Sequence, residues 1–244
     1  MLRMKSITKA VATGCFKVAT VSVIFLSIFF TTAVPTSHLQ EASVGRHEIF
    51  NLSGRVTENS VSGLISILET ARAEDTVTIY INSPGGFVKP GMNVLKAMEN
   101  SKARHIEAVV TGMAASMAEG IATKADHVTM NYGSRMMFHF GGAGSYKFTG
   151  ADKTSRDIGI STYVVLLDGF MKTQVGALLH KADWKTIDDG SEVWLTDVEY
   201  RQRGGDHFSG RYIKNVYLQQ LIDFIASDSE GEYGVADIEW VYEK

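Results

Sequence analysis

Apolar residues downstream of residue 46 repeat with two periods, one helical and one extended. The spacing of an amphipathic helix predicts a helix over residues 59–73, where the recurring apolar residues are Val61, Leu64, Ile65 and Leu68. The run VTIYI at residues 77–81 is short and β-branched, which predicts a buried strand. Because strands and helices alternate along the chain, the sequence indicates an α/β fold with a mainly parallel sheet and flanking helices. Functional groups are then expected in the loops that follow the strands.

The same two patterns continue to residue 225, with one interruption. The stretch GGAGSYKFTG at residues 141–150 is rich in glycine and predicts a loop. A long helix is predicted after it, over residues 152–180, and an apolar helix over residues 212–225. The other predicted segments are strands at 49–52, 108–111, 128–130 and 135–139, and helices at 91–100 and from residue 115 onward.

The N-terminal region contains an apolar run of a different kind. Residues 18–34, VATVSVIFLSIFFTTAV, carry no charge and number 17, the lower limit of the roughly 17–25 residues that a membrane-spanning helix needs. Basic residues precede the run, the last of them Lys17, and Pro35 follows it. This predicts an N-terminal hydrophobic helix that is either a membrane anchor or a secretory signal removed near Ala42. A buried apolar helix is the less favoured alternative, since the run has no polar stripe.

The chain therefore divides into three predicted parts. Residues 1–45 form a basic and hydrophobic segment with a linker, residues 46–210 an α/β domain, and residues 211–244 a C-terminal helix with an acidic tail. The predicted location is the membrane through residues 18–34, or the periplasm or cell exterior after cleavage. A cytoplasmic location is less favoured.

Charge and cysteine content exclude several classes of function. The net charge is −3, but four of the 24 basic residues precede residue 18, which leaves 20 basic against 27 acidic residues in the remainder. This acidic balance argues against a nucleic-acid partner, because phosphate binding needs a basic face. The one cysteine, Cys15, precedes the apolar run, so the domain has no disulfide and no thiolate nucleophile. The histidines show no ligand spacing, and we expect neither a metal nor a cofactor.

Two turns made of small residues follow predicted strands, at residues 82–86 (NSPGG) and 112–118 (GMAASMA). A Gly-Gly turn allows backbone N–H groups to approach a developing oxyanion closely. A serine at a strand-to-helix turn has an exposed hydroxyl beside the positive end of the helix. Either motif alone is weak, since Pro-Gly-Gly is commonly only a turn and a serine before a helix is commonly only a cap.

Together the motifs INSPGG, GMNVLKAM, GMAASMA and SRMMFHF resemble the proteolytic subunit of Clp protease, which has a crotonase-like fold. The resemblance extends over residues 46–199. It implies a serine peptidase with Ser116 as nucleophile and His139 as general base. It also implies an oxyanion hole formed by the backbone N–H groups of Gly86 and Met117.

The acid that orients the histidine is less clear from the sequence. In the family it lies two residues before an aromatic-Leu-Ser/Thr motif, which corresponds here to residues 194–196 (WLT) and places Glu192 at the acid position. The family usually has Asp there. Asp188 and Asp189 lie close by and are the alternatives. A serine–lysine dyad with Lys124 is less favoured, because Lys124 is expected on the same helix as Ser116, two turns further on.

The resemblance also implies what the protein acts on and binds. A peptide or unfolded protein would be the substrate, a homo-oligomeric ring of the heptamer type the assembly, and an AAA+ unfoldase the partner, since the chain has no Walker motif. An exported domain would lack such an ATP-dependent partner. Two other functions remain open: a catalytically inactive ring subunit, and an acyl-CoA hydratase or isomerase on the same fold.

Overall fold

The computed structural model describes residues 44–139 and 153–227. For residues 153–161 and 164 it describes only the backbone. The predicted apolar run at 18–34, the glycine-rich stretch at 141–150 and the acidic residues from 228 onward lie outside the described residues. Within the described ranges, no helix combines the length and the apolar character needed to cross a membrane.

The described residues form one mixed sheet with helices around it. The strands are β1 (His47–Ser53), β2 (Thr76–Ser83), β3 (His105–Ala115), β4 (His127–Met130), β5 (Arg135–Phe138) and β6 (Val193–Thr196). The helices are α1 (Glu58–Thr70), α2 (Val88–Asn100), α3 (Met117–Thr123), α4 (Lys153–Val175), α5 (Lys181–Asp188), α6 (Asp197–Gln202) and α7 (Val216–Ser227), with a 3-10 turn at Gly205–His207.

The strands follow the order β1-β2-β3-β5-β6, and β4 pairs with β3 beside this path. Every pair is parallel except β5–β6, which is antiparallel. Strand β3 changes partner along its length: residues 107–110 pair with β4 and residues 113–115 pair with β5. The predicted mainly parallel α/β architecture is confirmed, and the change of partner brings the ends of β3 and β5 side by side.

Helix α1 shows why the first periodic segment folds as it does. The Thr57 side chain accepts a hydrogen bond from the Ser60 N–H and caps the helix. Val61, Leu64 and Leu68 face the core, as their spacing predicts. The helix ends at Thr70, three residues before the predicted end, because the backbone turns to let the Arg72 N–H donate to the Asp75 carboxylate at 2.9 Å.

Strand β2 is buried on one face only. Val77, Ile79 and Ile81 are inaccessible to solvent, whereas Tyr80 between them is 37% exposed. The β-branched run predicted a buried strand without resolving its two faces. Parallel sheets are commonly covered on both faces, but here the alternation of buried and accessible residues continues through β2, β3 and β4.

The C-terminal third departs most from prediction. Helix α4 ends at Val175 rather than at residue 180, and it is followed by a turn in which the N–H groups of Leu178 and Leu179 donate to the Val175 carbonyl. The short helices α5 and α6 were not predicted. Helix α7 begins at Val216, four residues later than predicted, and Asn215 before it donates from its side chain to the Phe170 carbonyl at 2.8 Å. This contact joins α7 to α4.

Candidate active site

Ser116 occupies a strained turn between β3 and α3. It has φ 58° and ψ −128°, and it is the one non-glycine residue with positive φ in the described ranges. Such a conformation costs energy and is found where the surrounding structure imposes it. Here the Ser116 N–H donates to the Met137 carbonyl of β5 at 3.1 Å. The hydroxyl oxygen is buried and forms no hydrogen bond with any described residue.

The predicted Gly-Gly turn lies directly against this serine. Gly85 and Gly86 both have positive φ, 91° and 153°. The turn is held by two backbone bonds, from the Val56 N–H to the Gly85 carbonyl at 2.8 Å and from the Phe87 N–H to the Val56 carbonyl at 2.9 Å. A Cβ added to Gly85 would lie 2.7 Å from the Ser116 Cβ. Only glycine therefore allows this close approach.

The two N–H groups predicted for the oxyanion hole belong to this arrangement. A Cβ on Gly85 would also lie 3.0 Å from the Met117 nitrogen, so the turn and the start of α3 are in contact. Met117 is the first residue of α3, and its N–H has no acceptor within the helix. Within the described part of the chain, neither the Met117 nor the Gly86 N–H donates a hydrogen bond to a protein acceptor. Both donors are available to a ligand.

His139 follows the last residue of β5, next to the serine turn. The parallel register pairs Ala115 with Met137, so Ser116 and His139 both lie just beyond the ends of adjacent strands. Because neighbouring strands lie about 4.8 Å apart, Ser116 and His139 are at the same edge of the sheet. Burial lowers the pKa of His139 to about 4. The imidazole is consequently neutral at pH 7, as a general base must be.

The antiparallel pairing of β5 with β6 ends one residue before the histidine and next to one of the candidate acids. Phe138 pairs with Val193, and the next pair in this register would be His139 with Glu192. Glu192 is half-buried, and its Oε2 accepts a hydrogen bond from the Trp194 Nε1–H at 3.0 Å. Asp188 instead forms an exposed ion pair with Lys172 at 3.5 Å. Asp189 is exposed at the end of α5.

Lys124, the less favoured dyad partner, is fully buried just after α3. Its ammonium lies 3.4 Å from the Glu99 carboxylate. The Lys124 ammonium therefore forms an ion pair with a residue of α2.

Sequence reasoning missed one buried acid near the serine. Glu119 lies one helical turn after Ser116 and is 3% exposed, with the Thr123 hydroxyl donating to its Oε1 at 3.1 Å. Burial raises the pKa of this carboxyl to about 8, so Glu119 is mainly protonated at pH 7. An acid in the otherwise small and apolar segment MAEGIAT was the signal available in the sequence. In the described ranges, no three His, Cys, Asp or Glu residues are grouped so as to hold a metal ion.

The chain is similar in sequence to known proteins of one family. A family model described as Clp protease matches residues 42–176. The chain is 33% identical over 187 residues to the ATP-dependent Clp protease proteolytic subunit 1 of Synechococcus sp. (strain CC9902), covering 74% of this chain and 88% of that protein. It is 29% identical over 149 residues to proteolytic subunit 2 of Synechococcus sp. (strain CC9605), covering 59% and 70%.

A third relative matches over a shorter stretch. The ATP-dependent Clp protease proteolytic subunit of Ligilactobacillus salivarius (strain UCC118) is 35% identical over 81 residues, which is 32% of this chain and 41% of that protein. The family model itself covers more than half of the chain. Together with the Gly-Gly turn against a strained serine at the edge of a mainly parallel sheet, this match means that the chain belongs to the Clp protease family.

Proposed function

We propose that this chain is a serine endopeptidase that cleaves peptide bonds through an acyl-enzyme at Ser116. The observation that carries the proposal is the Gly85–Gly86 turn in contact with the strained Ser116 turn, which leaves two N–H donors beside a buried hydroxyl. A hydratase on this fold would need the donors alone. A nucleophile held beside them, with a neutral imidazole on the next strand, favours acyl transfer.

The proposed reaction assigns each proton. His139 takes the proton from the Ser116 Oγ as this oxygen attacks the carbonyl carbon of the peptide. The carbonyl oxygen becomes an oxyanion and accepts hydrogen bonds from the Gly86 and Met117 N–H groups. His139 then gives the proton to the amine, which leaves, and the acyl group stays on Ser116. Water attacks the ester with His139 again as base, and the acid product leaves as Ser116 regains its proton.

The orienting acid in this proposal is Glu192. Its support is the β5–β6 register: continued by one pair beyond Phe138 and Val193, it would set Glu192, rather than Asp188 or Asp189, opposite His139. A carboxylate beside the imidazole selects the tautomer that has its free nitrogen toward the serine. Glutamate extends one methylene further than aspartate, so its carboxylate can reach the imidazole from a slightly greater distance.

We further propose peptides or unfolded proteins as substrates, a homo-oligomeric ring as the assembly and an AAA+ ATPase as the partner that delivers substrates. The support is family membership and the names of the relatives, each an ATP-dependent Clp protease proteolytic subunit. Membrane attachment through residues 18–34 stays a prediction from the sequence.

Labelling with a fluorophosphonate probe tests the peptidase proposal. We expect one adduct on the full chain, detected by intact mass, and none on Ser116→Ala, because the phosphorus atom reacts only with an activated oxygen. Glu192→Gln should slow labelling by a factor of ten or more, roughly the effect of misorienting a base, and Asp189→Asn should not. A folded protein that takes no adduct would support the inactive ring subunit instead. The reverse ranking of the two acid variants would move the orienting acid to Asp189.

A further inference from the structure

Trp194 is held on two sides by neighbours in the sheet. Its indole N–H donates to the Glu192 Oε2 at 3.0 Å, and the Arg135 guanidinium lies over its ring, 4.6 Å from the centroid. A cation over an indole face is the most favourable arrangement of this kind. The ring is therefore fixed in place while its N–H points at the carboxylate.

The register of β5 and β6 explains how these groups meet. Arg135 pairs with Thr196 and Met137 pairs with Trp194, so Arg135 and Trp194 are diagonal neighbours on one face of the sheet. Residues two apart along a strand point to the same face. Glu192 consequently lies on this face too, and the next pair of the register would set it opposite His139.

A glutamate at this place needs such a restraint more than an aspartate would. It has one more rotatable bond, so its carboxylate has more orientations to lose when it is held beside the imidazole. A hydrogen bond from a fixed N–H to one oxygen removes much of this freedom. No hydrogen bond to the other oxygen, Oε1, is found among the described residues, so Oε1 is the oxygen that would face the histidine.

We propose that Trp194 is a positioning residue that orients the Glu192 carboxylate toward His139, with Arg135 fixing the indole ring. The proposal rests on the proposed function, since it concerns the orienting acid of the same site. It adds to the Ser-His-acid set a residue that touches neither the substrate nor the reacting atoms.

The test compares Trp194→Phe with the unaltered full chain. Phenylalanine keeps an aromatic ring under Arg135 and removes only the N–H and part of the ring area. We expect the second-order rate of fluorophosphonate labelling to fall about tenfold, the effect of losing one hydrogen bond to a charged group. Trp184→Phe is the matched control, because Trp184 is also half-buried but packs against the core from α5. Its labelling rate should not change.

A double variant distinguishes positioning from a merely structural role. If Trp194 acts through Glu192, then Glu192→Gln with Trp194→Phe should label no more slowly than Glu192→Gln alone. Multiplying losses would overturn the proposal, as would an unchanged or faster rate in Trp194→Phe while the unaltered chain labels normally. Absence of labelling in the unaltered chain would overturn the peptidase function and this role with it, so the two failures are distinguishable.

Discussion

The two ends of the parallel strands differ in the hydrogen bonding of their buried polar groups. At the start of β2, the Asp75 carboxylate accepts backbone and side-chain hydrogen bonds from both Arg46 and Arg72, at 2.7 to 3.3 Å. At the start of β3, Glu107 is similarly bound by Thr129 at 2.6 Å and by His127 at 3.0 Å. These acids are satisfied by the protein itself.

At the other end, polar groups are left for a ligand. The Ser116 hydroxyl is buried with no hydrogen-bond partner among the described residues, and the Gly86 and Met117 N–H groups donate to no described acceptor. Glu119 is buried with a single hydroxyl donor. Unsatisfied buried groups cost stability and are retained where a reaction uses them. Asp75 and Glu107 therefore stabilise one end of the sheet, whereas the groups around Ser116 at the other end, unpaired among the described residues, cost stability and are available to a ligand.

The largest expected effect comes from filling the gap between the glycine turn and the serine. Gly85→Ala would put a methyl group 2.7 Å from the Ser116 Cβ and 2.6 Å from the Ala115 carbonyl oxygen. We expect fluorophosphonate labelling to fall by about a hundredfold or more, as when an oxyanion donor is lost. Labelling rates and melting temperatures of the purified variants provide the measurement.

Gly204→Ala is the matched control for this change. Gly204 has φ 81°, close to the 91° of Gly85, but a Cβ there meets nothing within 4 Å. It should cost only the backbone strain of about 1 kcal/mol and leave labelling unchanged. Equal labelling of the two variants would show that close approach of the turn to Ser116 is not needed.

The second-largest effect concerns the contribution to stability of Glu119, one helical turn after Ser116. The pKa of Glu119 is about 8 when folded and about 4.3 when unfolded, so between these pH values folding must take up a proton and is penalised increasingly as pH rises. Glu119→Gln removes this penalty, and we expect it to raise the free energy of unfolding by roughly 4 kcal/mol at pH 7. The gain should vanish near pH 4 and level off above pH 8.

Denaturant unfolding across pH 4 to 9 measures this gain. Glu69→Gln, an exposed change on α1, is the control and should show no such trend. A Glu119→Gln gain that is independent of pH would contradict a protonated Glu119.

The smallest effect, on stability, is expected from a change to Asp75 at the start of β2. Hydrogen bonds from Arg72 and Arg46 hold the pKa of Asp75 well below its ordinary value. This stabilisation is present above the unfolded pKa of about 3.9 and is lost as the pH falls toward the folded pKa. Asp75→Asn should lower the melting temperature by several degrees at pH 7, with a difference that shrinks below about pH 4.

Labelling by the fluorophosphonate should be unchanged in Asp75→Asn. Asp223→Asn, an exposed site on α7, should change neither quantity. A loss of labelling in folded Asp75→Asn would show that the two ends of the sheet are coupled. Separate roles for the two ends would then be ruled out.

Short-range signals account for what was predictable in the fold. The 3–4 spacing in α1 and the β-branched run in β2 reflect the burial of one face, which acts within a few residues and is visible in the chain itself. The helices α5 and α6 were missed because they are only 8 and 6 residues long, too short for a periodic pattern to stand out. The end of α4 was misplaced because a turn at Val175, rather than a proline, stops it.

The order of residues was sufficient to predict the reactive groups, namely a serine at a strand-to-helix turn, a Gly-Gly turn and a histidine after a strand, and the family to which they belong. Strand pairing and burial, which involve residues distant in the chain, set the positions and the ionisation of these groups. The change of partner along β3 brings Ser116 and His139 to the ends of adjacent strands, the β5–β6 register favours Glu192 over Asp189, and burial lowers the pKa of His139 while raising that of Glu119. The reason is physical, because pairing and desolvation depend on residues distant in the chain, and no local pattern encodes the dielectric around a side chain.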